Sequence, residues 1–218
     1  MIGHWIQQLA VFSVSDWDKY AFAREPLAGK VSVGCRVEMG ENSRQCGQTF
    51  ARQLRQTYGN ASVKQMAASE GAEVTYLSKT GADSYILFAK YTEPKDILIY
   101  RSCAKATDDL IDQEGLRHLI GPVQTEDVLL AHELFHFLEF SCPDAYTLQK
   151  HLLLWKLGPL HNKSSIRCLG EIGAMAFACQ LLELPYSPYL FDVLLLYPFS
   201  PQRAKDVYDI MMASAGKK

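Results

Sequence analysis

Five residues, His132-Glu133-Leu134-Phe135-His136, stand inside an apolar run, with Val128-Leu129-Leu130-Ala131 before them and Phe137-Leu138 after. Such a run predicts a buried helix from Thr125 to about Phe140, capped by Thr125, with Glu126 and Asp127 in its first turn. Two histidines four residues apart then lie one turn apart on the same face, so both imidazoles can reach one ion. Glu133 projects about 100° round the helix from His132. That suits a carboxylate that takes a proton from water at the ion rather than one that ligates the ion. The bland alternative is an amphipathic core helix whose histidines and glutamate face solvent. Against it, a helix this apolar should be buried, and burying two imidazoles and a carboxylate without partners is expensive.

A catalytic zinc takes three protein ligands and keeps one position open. Downstream of His136 the candidates are Glu139, Asp144, His151, His161, Glu171 and Glu183. Glu171 is the best placed. It opens the small, apolar stretch Gly170 to Ala178, which reads as a second buried helix with Ser164 or Ser165 as its cap. Gly173 and Ala174 are small enough to let this helix approach the motif helix. The competing reading makes Glu171 a first-turn glutamate favoured by the helix dipole. Glu139 falls on the histidine face and could ligate, or accept a hydrogen bond from a ligand histidine's remaining N–H. His161, expected in the Leu160-His161-Asn162-Lys163 loop, could assist an oxyanion or simply be solvated. Two imidazoles and a carboxylate suit zinc best.

With these motifs in view, a family resemblance emerges. A motif helix followed some thirty-five residues later by Glu171-x-x-Ala174 resembles the gluzincin arrangement. The run Glu171 to Leu182, with Pro185 close behind, resembles the E-x-x-A-x-x-F-A-x-x-L-L pattern of the ImmA/IrrE-type metallopeptidases. Val128 to Leu134 is similar to that family's apolar lead into its H-E-L motif, and Met66 to Val74 loosely resembles its early helix-to-strand junction. The likeness covers roughly residues 50 to 186. The chain departs from the pattern at Phe135, where a glycine is usual, at Met175, where asparagine is commoner, and in a proline one residue late. The resemblance implies a zincin-like domain, zinc on His132, His136 and Glu171 with Glu133 catalytic, and hydrolysis of an intracellular protein, a transcriptional repressor being one candidate.

With 218 residues the chain makes one substantial domain, divided here into an irregular segment 1–45 packed on the core and a zincin-like metallopeptidase domain 46–218. A short strand is expected at Lys30 to Val37. Hydrophobic content of 48% against 21% charged residues argues against extended disorder. A net charge of −2 without a basic block argues against direct nucleic-acid binding. Six scattered cysteines suggest neither a disulfide framework nor a second metal site. The first residues lack a basic n-region and cleavage site, and Asp192 interrupts the short apolar run Phe191 to Phe199. A cytoplasmic protein without membrane association is expected.

Helices are expected over Gly47 to Tyr58, from an Asn60 cap to Glu70, over Ala104 to Ile120, and from Pro143 through Trp155 to a Gly158-Pro159 stop. The Glu171 helix should end near Leu184, and a last helix should run from Ser200-Pro201 to Ala213. Glu73 to Ser78 alternates, and Ser84 to Tyr91 with Asp96 to Arg101 reads as a hairpin. This order gives an α+β fold, mostly helical, with a small sheet of three or more strands beside the metal-bearing helix. The function expected is zinc-dependent peptide hydrolysis, with an extended substrate pairing to an exposed strand within residues 84 to 101. The alternatives are a metal-binding regulatory or interaction protein without proteolysis, and a structural interaction protein with a fortuitous motif.

Overall fold

Ile2, Trp5, Ile6 and Leu9 recur at helical spacing and are all buried, which makes the chain open on a helix, α1 (Ile2–Ala10). Ser13 caps α2 (Val14–Ala23) through a box closed by Asp16. Ser32 caps the 26-residue α3 (Val33–Tyr58), which ends at Gly59 with φ 56°. The computed structural model describes residues 1–78, 87–158 and 160–217. The irregular 1–45 segment and the strand at Lys30 to Val37 are therefore corrected. Helices fill that stretch apart from short connections and one 3₁₀ turn, and α3 runs straight through residue 45. Gly40 and Gly47 lower the helical propensity of α3 but are needed for close packing. A Cβ on Gly40 would meet Asp18 Oδ2 at 2.7 Å, and one on Gly47 would overlap the Gly173 carbonyl oxygen.

Ser62, rather than Asn60, caps α4 (Val63–Ser69), with Gln65 closing the box. Three strands follow, β1 (Glu73–Leu77), β2 (Ala89–Thr92) and β3 (Asp96–Tyr100), in the spatial order β1-β3-β2. β1 runs parallel to β3 and β2 antiparallel to it, so the expected β2–β3 hairpin is present from residue 89 on. Its expected start at 84–86 lies outside the described residues. β3 passes directly into α5 (Arg101–Gln113), and Gly115 at φ 65° turns the chain into α6 (Arg117–Ile120). Two helices thus replace the single one expected over Ala104 to Ile120.

α7 (Thr125–Phe140) carries the histidine motif with the expected bounds, but Thr125 is not its cap. The Asp108 carboxylate on α5 accepts from the Thr125 N–H at 3.2 Å and from its hydroxyl at 2.9 Å. After α8 (Tyr146–Gln149) come β4 (His151–Leu157) and β5 (Leu160–Ser165), an antiparallel hairpin where a helix to Trp155 was expected. A register shift at Leu153/Trp155 breaks the period-two pattern that would have marked β4 as a strand. Pro159, part of the expected helix stop, lies outside the described residues.

α9 (Cys168–Leu181) carries Glu171, and α10 (Phe191–Leu196) and α11 (Pro201–Ala215) close the chain, the last capped by Ser200. α9 is packed between α3 and α7, and the other side of α7 lies against β2 and β3. Phe135 and Phe177 are fully buried at the α7–α9 contact, each stabilising by about 2–3 kcal/mol through removal from water. The architecture is α+β and mostly helical, with a three-stranded sheet beside the motif helix and a separate two-stranded hairpin. Among the described residues, no helix is long and apolar enough to cross a membrane.

Candidate metal centre

α7 sets His132 and His136 on one face, their ring centroids 4.9 Å apart and their Nε2 atoms 3.3 Å apart. α9 brings Glu171 to the same point from 35 residues beyond His136. Its Oε2 lies 3.4 Å from His132 Nε2 and its Oε1 lies 3.7 Å from His136 Nε2. One donor atom from each of the three falls within 4.8 Å of the others. Among the described residues this is the one group of three or more His, Cys, Asp or Glu side chains that could hold a metal ion.

Small residues make that approach possible. A Cβ on Gly173 would stand 2.7 Å from Phe135 Cζ, so the bulky Phe135 of α7 is accommodated by the missing side chain on α9. The first turn of α9 is fixed from far away in sequence. The Glu25 carboxylate accepts from the Cys168 N–H at 3.1 Å and from the Leu27 N–H at 3.0 Å, so Ser164 and Ser165 do not cap this helix. Burying Glu25 with two N–H partners satisfies its charge and holds the turn that bears Glu171.

Glu139 sits behind the histidines rather than among the three donors. Its Oε2 lies 3.4 Å from His136 Nδ1, the contact expected of an acceptor that orients a ligand imidazole. His161 lies in β5 opposite Lys156 and outside the three-residue group, and so does His151 in β4. Burial disfavours the His132 imidazolium, but the hydrogen bond and charge of Glu171 outweigh it and raise its pKa to about 9. Burial also opposes the Glu171 carboxylate, and His132 outweighs that in turn, bringing its pKa to about 2. Two nitrogen donors and a carboxylate held this close could hold a divalent cation.

Glu133 points to the neighbouring strand, where its Oε2 accepts from the Tyr91 N–H at 2.7 Å. Phe88 and Tyr100 form a hydrogen-bonded pair, Tyr100 N–H to Phe88 O at 3.0 Å. Antiparallel alternation then turns the backbone groups of Ala89 and Tyr91 away from β3, along the outer edge of β2. Ala89, His132, Glu133 and Glu171 line one cleft of about 200 Å³, which also takes in Arg24 and Asp192. A larger cavity of about 530 Å³ lies on the far side of Met175, among Phe12, Trp17 and Tyr189, and contains none of the metal-competent groups.

Arg24, Glu25 and Asp192 were not among the sequence candidates. Only Asp192 left a trace there, as a lone acid in an apolar run that has to find a partner. Arg24 Nη1 supplies it at 3.0 Å, and the Tyr20 hydroxyl donates to the same oxygen at 2.8 Å. Comparison with protein-family models, curated proteins and solved structures finds no match to this chain.

Proposed function

We propose that the chain is a zinc-dependent metallopeptidase of zincin-like fold that hydrolyses peptide bonds of an intracellular protein. The observation that carries this reading is the convergence of His132, His136 and Glu171 on one point, with Glu133 in the same cleft beside an outward-facing strand edge. His132, His136 and Glu171 would hold the ion, and Glu139 would orient His136. Zinc, when bound, supplies a Lewis acid that polarises a carbonyl and makes water easier to deprotonate.

The protein's own groups would do the rest. Glu133 takes the proton of the attacking water and returns it to the departing amine. The Tyr91 N–H holds one Glu133 oxygen, which leaves the other to meet the water. The outer edge of β2 offers backbone groups to an extended chain, so a protein or peptide substrate would bind by strand addition with little sequence preference. The resemblance to ImmA/IrrE-type metallopeptidases makes a transcriptional repressor a candidate substrate. Six free cysteines suit a reducing compartment such as the cytoplasm.

Mass spectrometry of a proteome-derived peptide pool, incubated with zinc-loaded protein, tests the reading. New termini should appear with the wild type and fall at least about 100-fold with Glu133→Gln, which keeps its zinc. Zinc retention with no cleavage by the wild type would favour a metal-binding regulatory protein instead.

A further inference from the structure

Arg24 lines the cleft with His132, Glu133 and Glu171 yet has no part in the hydrolysis just described. It reaches the cleft from the C-terminal cap of α2, and its side chain is 57% exposed. Its Nη1 donates to Asp192 Oδ2 and to the Tyr20 hydroxyl, both at 3.0 Å. The guanidinium carbon also lies 5.2 Å over the Tyr20 ring. These contacts hold the planar group from one end. Its Nε and Nη2 make no hydrogen bond among the described residues, and those two N–H groups form the parallel fork that matches the two oxygens of a carboxylate.

The partnering is informative. Asp192 Oδ2 takes one N–H from Arg24 Nη1 and the hydroxyl of Tyr20, which leaves the Nε–Nη2 fork of Arg24 outside the pair. Tyr20 and Asp192 come from two separate helices, so the guanidinium is oriented by the fold rather than by its own flexible stem. Glu133, Glu171 and Asp192 are the acids lining the cleft, beside His132, and among the described residues Arg24 is its one Lys or Arg side chain.

We propose that Arg24 forms a carboxylate-binding subsite beside the metal centre, selecting peptides that carry an acidic group near the bond to be cut. The group is either a C-terminal carboxylate or an Asp or Glu side chain. This deepens the metallopeptidase reading and takes its setting from it. Tyr20 and Asp192 act as positioning residues that hold Nη1 and present the fork.

The test uses zinc-loaded Glu133→Gln protein, so that binding is read without turnover. Acetylated alanine-based hexapeptides carry a single Glu or Gln at each position in turn, with a free or an amidated C-terminus, and calorimetry gives each affinity. At least one placement should bind about tenfold or more tightly as the carboxylate than as its amide. A preference for the free terminus assigns the subsite to the chain end, and a preference for an internal Glu assigns it to a side chain. Arg24→Gln should bring the ratio to one. Arg24→Lys keeps the charge but not the fork, so it should keep only part of the ratio, and it carries the test if Arg24→Gln fails to fold. Equal affinities across all pairs in the parent protein, or a ratio that survives Arg24→Gln, overturns the subsite. The same peptides given to wild-type protein separate the two ideas. Carboxylate preference without cleavage rejects the peptidase reading and leaves the subsite, whereas cleavage without preference does the reverse.

Discussion

The Tyr91 N–H donates to Glu133 Oε2 at 2.7 Å, tying the outermost strand of the small sheet to the carboxylate between the two motif histidines. Because this N–H faces away from β3, it takes no part in the sheet ladder, and proline can replace the residue without breaking a strand-to-strand bond. Tyr91→Pro removes the donor, whereas Tyr91→Ala removes the same ring but keeps it. Peptidase kcat/KM of Tyr91→Pro should fall about tenfold below that of Tyr91→Ala, with zinc content equal in both. Equal activity in the two variants would show that the bond does not help place Glu133.

Close backbone approach around α9 makes a stability prediction. A Cβ on Gly47 would overlap the Gly173 carbonyl oxygen, which is backbone and cannot swing aside. Gly47→Ala should destabilise the fold by about 2–3 kcal/mol in urea unfolding. Gly173→Ala collides instead with the Phe135 ring, and adding Phe135→Leu should recover part of its loss. A Gly47→Ala protein as stable as wild type would mean that α3 and α9 do not pack this closely.

Protons compete with the metal at the His132–Glu171 pair. His132 is raised from 6.5 to about 9, so in metal-free protein its stabilising contribution is complete below 6.5 and is lost as pH rises through about 9. Glu171 is depressed from 4.5 to about 2, so its contribution is present above 4.5 and is lost as pH falls through about 2. At neutral pH the metal-free pair is charged, so zinc binding there would displace the His132 proton. Zinc affinity should therefore rise about tenfold per pH unit between 6.5 and 9. Calorimetry in buffers of different ionisation enthalpy should count about one proton released near neutral pH, and a count of zero would contradict this pairing.

Local signals were legible in the sequence and remote ones were not. The bounds of α7 are legible because an apolar run around the motif ends at clear breaks, and Glu171 stands out as a lone acid on a small-residue helix. The caps of these two helices could not be read. Asp108 lies 17 residues before Thr125, and Glu25 lies 143 residues before Cys168. No local residue pattern reports partners at such separations. β4 reads as helix because His151-Leu152-Leu153-Leu154-Trp155 carries no alternation, and its bulge removes the period that would have revealed a strand. α3 was cut short for the opposite reason. The expected helix starts only at Gly47, whereas α3 begins at Val33, and Gly40 within the missed part lowers helical propensity yet is required by the packing against Asp18. Arg24 and Asp192 meet only in the folded chain, 168 residues apart.

The zinc K-edge absorption spectrum of the purified protein tests the convergence of α7 and α9 on one cation most directly. One zinc per chain, with two imidazoles and a carboxylate oxygen at about 2.0–2.2 Å, is the expected result, and Glu171→Ala should remove the carboxylate signal. Absence of zinc, or sulfur scatterers at about 2.3 Å placing the ion on cysteines, would contradict it.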